Sequence, residues 1–167
     1  RRRWPISSKP GGTATTPTIR SSNTAGKSST ASGSISVTKP SGLAAGDYLL
    51  GISVGDADIT LASVTAPSGF VTLSSQAGNA TSNYPSVKIF GKVADSTDAA
   101  ASSFSFGFTS TGDGCTILAA ITTGTFDTSV PVAVGPWTTT PRTATTLQTA
   151  PSMTGVNGGL AIWIFGT

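Results

Sequence analysis

Phe104, Phe106 and Phe108 alternate with Ser103, Ser105 and Gly107. Side chains of an extended chain change faces at every residue, so only a strand can set those rings on one side. That side is expected to be core. Val87, Ile89, Gly91 and Val93 form a similar row before it, and Cys115, Ile117, Ala119 and Ile121 another after it. Small-residue turns separate the runs, so they are expected to be consecutive strands lining one apolar layer. Burying one Phe contributes about 2 kcal/mol, which makes this block the expected centre of stability.

The rest of the chain repeats the pattern on a smaller scale. Ile35 and Val37 alternate with Ser34, Ser36 and Thr38, and Lys39-Pro40-Ser41-Gly42 then breaks the run. Gly46-Asp47 turns into a strand with Tyr48, Leu50, Ile52 and Val54 on one face. Ala66-Pro67-Ser68-Gly69 releases Phe70 to Ser74 as the next. Val130, Val132 and Val134 suit a short edge strand, since Pro131 and Pro136 exclude a central one. A segment around Leu147 and another from Leu160 to Phe165 complete the series. No ten-residue stretch has helical periodicity. Many short strands between turns specify an all-β fold, an antiparallel sandwich or jelly-roll-like arrangement.

Residues 1 to 33 have a different character. They hold Arg1, Arg2, Arg3, Lys9, Arg20 and Lys27, no Asp, and few apolar residues. Such a segment cannot offset its ordering entropy by burial, so it is expected to be an arm that orders on a partner. The sandwich is then expected over residues 34 to 167. Trp4, beside Arg1, Arg2 and Arg3, is the arm's anchor and suits a socket on another protein. Residues 34 to 167 carry Lys39, Lys88, Lys92 and Arg142 against seven Asp, a net of −3. A net-acidic body is a poor platform for nucleic acid, so a protein surface is the expected partner of the arm.

Composition removes most catalytic chemistry. The chain has no His and no Glu, which eliminates the usual general base, the commonest transition-metal ligand and the Ser-His-Asp constellation. Asp56-x-Asp58 lacks the further oxygen ligands of a calcium loop, and the remaining Asp residues stand beside Gly, Ser, Thr or Ala at strand ends, as turn residues do. No cofactor or metal is expected. Cys115 is alone, so it forms no intrachain disulfide, and its apolar row marks it as a small buried residue. No run of about 18 apolar residues is present, so membrane insertion is not expected.

The order of these pieces resembles a family of β-sandwich domains in actinobacterial phage minor tail proteins and some secreted bacterial proteins. The pieces are Gly46-Asp47-Tyr48-Leu49-Leu50, Ala66-Pro67-Ser68-Gly69-Phe70, Lys88 to Ala94, Phe104-Ser105-Phe106, Ala119 to Asp127 and Gly159 to Phe165. The resemblance covers roughly residues 34 to 167. Phe70 stands where the family commonly has Trp, and Thr122-Thr123 replaces an aromatic-basic pair. The family domain usually continues past the position of Phe165, so further residues or a neighbouring chain are expected to complete the sheet.

The resemblance implies a non-enzymatic virion protein of the minor tail or tail-tip type, anchored to other virion proteins through its arm. Capsid decoration or a head fibre is the alternative location. A second alternative is a secreted or surface adhesion module that contacts host glycan through Tyr84 and Trp137. Leu160 to Phe165 is apolar on both faces, so one face needs a cover. A homo-oligomer, a trimer by preference, or residues beyond Thr167 would supply it.

Overall fold

The structure is a computed structural model, and it describes residues 16–27, 33–56, 59–78, 85–109 and 112–122. The described strands are β1 (Ile19–Lys27), β2 (Gly33–Thr38), β3 (Tyr48–Gly55), β4 (Val64–Thr65), β5 (Val71–Gln76), β6 (Ser86–Val93), β7 (Ser103–Phe108) and β8 (Gly114–Ile121). They form a five-stranded sheet in the order β1-β8-β3-β6-β5 and a three-stranded sheet in the order β2-β7-β4. Every pairing is antiparallel. The all-β sandwich expected from the alternating rows is the observed architecture.

The three-stranded sheet obeys the period of two. Ile35, Val37, Phe104, Phe106 and Phe108 are buried while Ser34, Ser36, Ser103 and Ser105 face out. Phe106 and Phe108 are both 0% exposed. The core opposite them consists of Leu49, Phe90, Leu118 and Ala120 from the five-stranded sheet, with Phe70 at its margin. Phe70 meets Phe104 and Phe106 edge-on, at 6.2 and 5.7 Å between ring centroids, the geometry that the ring quadrupole favours.

Two expectations about this core change. The three consecutive strands do not share a layer: β6 and β8 both pair with β3 in the larger sheet, and β7 crosses to the other. The rows of Val87 and Ile89 and of Ile117, Ala119 and Ile121 also lie on the opposite face of their sheet from the Phe residues. In register, Ile52 stands between Ile89 and Ile117, and Gly51 between Phe90 and Leu118. The strands β3, β6 and β8 therefore offer apolar side chains to both faces, as central strands covered on both sides do. The face away from Phe106 carries a second buried cluster of Tyr48, Leu50, Ile52, Val87, Ile89 and Ile121.

A further correction concerns the arm. Ile19–Lys27 is not a free tail but the edge strand β1, paired along its length with β8 from Ile121 to Gly114. The backbone ladder makes this possible with little apolar area, Ala25 being the β1 residue that packs against the core. Strand hydrogen bonds are sequence-blind, and every second residue from Ser22 on, namely Ser22, Thr24 and Gly26, is exposed. The inward Asn23 donates from Nδ2 to the carbonyls of Thr38 (3.1 Å) and Lys39 (2.8 Å), which ties β1 to the end of β2.

The connections show two local features that the apolar pattern does not carry. The link from β6 to β7 contains a short helix, α1 (Ser96–Ala100), capped at Asp95. A 3-10 turn at Leu61–Ser63 leads into β4. Gly46, at a φ of 91°, occupies left-handed backbone that turns the chain into β3, a conformation glycine adopts without steric cost. The expected strands at Val130 to Val134, around Leu147 and at Leu160 to Phe165 lie outside the described residues.

Candidate functional site

The root of the N-terminal segment is the best-defined place where the sandwich meets the rest of the chain. The Thr18 amide donates to Thr122 Oγ1 (3.1 Å), the two hydroxyls lie 3.0 Å apart, and the Thr122 amide donates to the Thr18 carbonyl at 2.9 Å. Thr18 precedes β1 and Thr122 follows β8. Residues 1–15 and residues 123–167 thus connect to the sandwich at one corner of the five-stranded sheet.

A bidentate ion pair holds the same corner. Arg20 Nε and Nη2 donate to Asp47 Oδ2 (2.9 Å) and Oδ1 (3.1 Å), and Oδ2 also accepts from the Ala44 amide. Asp47 is buried while Arg20 keeps contact with water. The fork geometry fixes direction as well as charge, so the pair sets how β1 enters the sheet. Hydrogen bonding to Asp47, with its charge, raises the Arg20 pKa above its ordinary value. The two residues are 27 positions apart, and no local pattern in the sequence joins them.

The other described cations are used inside the sandwich in the same way. Lys27 Nζ donates to the Gly112 carbonyl at 2.5 Å, and Lys39 Nζ to the Ala99 carbonyl of α1 at 2.5 Å. Lys88 projects on the Phe90 side of β6, donates to the carbonyls of Leu61 (3.1 Å) and Val64 (2.8 Å), and lies 5.5 Å from the Phe90 ring centroid. Lys92 Nζ contacts Asp98 Oδ2 at 2.7 Å and Asp95 Oδ2 at 3.6 Å. Hydrogen bonding to Asp98, ahead of the charge of the two carboxylates, raises the Lys92 pKa.

The carboxylates of Asp95 and Asp98 are committed in the same way. Asp95 Oδ1 accepts from the Asp98 amide and Asp98 Oδ2 from the Asp95 amide, both at 2.9 Å, a reciprocal cap on α1. The spacing Asp95-x-x-Asp98 carries that signal, although the sequence reading assigns these residues to a turn. Asp95 is held below the usual carboxylate range, chiefly by the Asp98 amide. Asp56 belongs to a turn: its amide donates to the Asp113 carbonyl at 2.8 Å, and its own carbonyl accepts from the Ile59 amide at 3.0 Å. Among the described residues no three potential metal ligands gather, and no helix there is long and apolar enough to cross a membrane.

Cys115 differs from expectation. It is exposed rather than buried, because it lies near the start of β8 beside Gly26 of the polar edge strand. Partial desolvation still raises its thiol pKa. Arg1, Arg2, Arg3, Trp4, Tyr84 and Trp137, together with Asp58 and Asp127, lie outside the described residues. Comparison of the chain with protein-family models, with curated proteins and with solved structures returns no match.

Proposed function

We propose that the chain is a non-enzymatic structural protein of a phage virion, a sandwich of the minor tail or tail-tip type, anchored to neighbouring virion proteins through its first 15 or so residues. The observation that supports this reading is the division of charge. Each described cation, Arg20, Lys27, Lys39, Lys88 and Lys92, is spent on a carboxylate or a carbonyl of the same chain. The remaining basic density of the N-terminal region is Arg1, Arg2, Arg3 and Lys9, which precede the corner pinned by Thr18 and Thr122. A sandwich whose described cations are partnered within the chain and that bears a basic, Trp-tipped segment suits a module that is held by one end and displayed. Electrostatic attraction would steer Arg1 to Arg3 onto an acidic surface, and Trp4 would supply the desolvated anchor.

The experiment is assembly with a chain lacking Arg1 to Gly12, which leaves β1 and its pins intact. The truncated chain is expected to keep its cooperative unfolding and to be absent from purified particles. Normal incorporation would overturn the anchor. Retention of the full chain on glycan-coated beads, with no uptake into particles, would replace the virion reading with that of an adhesion module.

A further inference from the structure

One side of the core, between β8 and β2, is closed by β1. Its inward residues Ser21, Asn23 and Ala25 stand beside Ala120, Leu118 and Thr116 in the ladder, and those three β8 residues are 0% exposed. The wall over them is polar. Ala25 is the β1 residue that packs against the core, while Ile19, the largest apolar residue of the strand, is 48% exposed.

Hydrogen bonds and one ion pair do most of the fastening. Arg20 reaches Asp47, and the Ser21 hydroxyl donates to the Ser41 carbonyl at 2.8 Å, so both grip the connection between β2 and β3. The Arg20 stem also lies along that connection, with Cδ 3.4 Å from where a Cβ on Gly42 would stand. Asn23 bonds the carbonyls of Thr38 and Lys39 at the end of β2, and Lys27 bonds that of Gly112. Because β2 belongs to the smaller sheet and β3 to the larger, β1 lies across the link between the two. Water replaces such bonds at little net cost, but it does not replace the apolar contacts that hold Leu49 and Phe90 of β3 and β6 in the core. The two parts of the fold therefore differ in what it takes to open them.

We infer that β1 is a strap, which lifts from the sandwich as one unit while the two sheets stay folded. Its release opens the edge of β8 and the flank of Leu118 and Ala120, and its return closes them. Residues 1–15 run into its fastened end at Thr18, so a pull on them loads the contacts with Thr122 and Asp47 before the central strands β3 and β6. The 9 residues of β1, once lifted, add about 30 Å of extended chain between residues 1–15 and the sheets. In the anchored reading proposed above this makes β1 the yielding part of the tether, but the strap itself rests on the contacts of β1 and not on that reading.

Hydrogen exchange on the whole chain, in isolation and at a series of low urea concentrations, tests it. The amides bonded across the β1–β8 ladder are expected to share one opening that depends little on urea, because little surface is exposed. They are expected to exchange at least about tenfold faster than the amides bonded between β3 and β6. Equal protection and equal urea dependence in the two groups would overturn the strap, and so would rates graded from one end of β1 to the other, which describe fraying. Asn23→Ala is expected to speed the β1–β8 group about tenfold and to leave the β3–β6 group unchanged; equal acceleration of both would overturn the separation. Gly26 faces Cys115, and a Cβ on Gly26 would stand 3.8 Å from the Cys115 Cβ, a separation that suits a disulfide. In Gly26→Cys the oxidised bond is expected to abolish the urea-insensitive exchange at that end of the ladder, and reduction to restore it. Urea-insensitive exchange that persists there in the bonded chain would mean that lifting of β1 is not its cause.

Discussion

The Phe106 ring lies directly over the backbone of Gly51, with two ring carbons 3.0 Å from where a Cβ on Gly51 would stand. Gly51 is in the middle of β3, between Phe90 and Leu118 in register. The missing side chain lets the two sheets approach at that point. A glycine that weakens its own strand is here the seat for the middle ring of the Phe row, which explains its place in a mostly apolar run.

Gly51→Ala is expected to cost about 1–3 kcal/mol, because a rigid ring packed against Phe70 and Phe90 has to move. Phe106→Ala empties the seat and is expected to cost about 3–5 kcal/mol. Urea unfolding of the two variants measures both. Losses below about 1 kcal/mol for Phe106→Ala would mean that this ring is not the centre of the core.

On the opposite face the same device recurs with Tyr48 over Gly91. A Cβ at Gly91 would overlap Tyr48 Oη and stand 2.6 Å from Cζ. Gly91→Ala is therefore expected to be more damaging than Gly51→Ala. Adding Tyr48→Phe removes the nearest atom, so the double variant is expected to recover part of the loss. Additive losses in thermal melts would show that the two residues do not meet.

The Asp95 cap gives a pH dependence of definite sign. Its folded-state pKa is depressed, chiefly by the Asp98 amide, so it adds stability above the ordinary carboxylate pKa of about 3.9 and loses it as pH falls through the lower folded value. Asp95→Asn keeps an acceptor for the Asp98 amide but does not titrate. The stability gained between pH 2 and pH 6 is expected to be smaller in Asp95→Asn than in the parent. An unchanged pH profile would assign the acid sensitivity elsewhere.

Cys115 is expected to be alkylated completely in the folded protein, because it is exposed. The rate near neutral pH is expected to fall below that of a small free thiol. Partial desolvation raises the pKa and leaves less thiolate to react. Mass spectrometry after timed iodoacetamide treatment decides both points, and no modification without denaturant would place the thiol inside.

Period-two alternation determined much of this protein by itself. Ser103 to Phe108 could only be a strand with its rings inward, and Tyr48, Leu50, Ile52 and Val54 could only share a face, because the pleat reverses side chains at every residue. The turns at Gly42, Gly46 and Gly69 were legible for a similarly local reason, and each is a glycine at positive φ. Alternation does not say which sheet a strand joins. The rows of Ile89 and Ile117 read as partners of the Phe row, but pairing through β3 turned them to the other side. Nor does apolar content reveal an edge strand: Ile19–Lys27 is held by backbone hydrogen bonds and by Arg20 on Asp47, contacts between residues far apart in sequence. The charged residues followed the same rule. In the sequence Lys88 and Lys92 count only toward net charge, and only the tertiary structure aims one at the carbonyls of Leu61 and Val64 and the other at Asp98. Local stereochemistry is written residue by residue, whereas sheet membership and charge pairing depend on which distant segments the folded chain brings together.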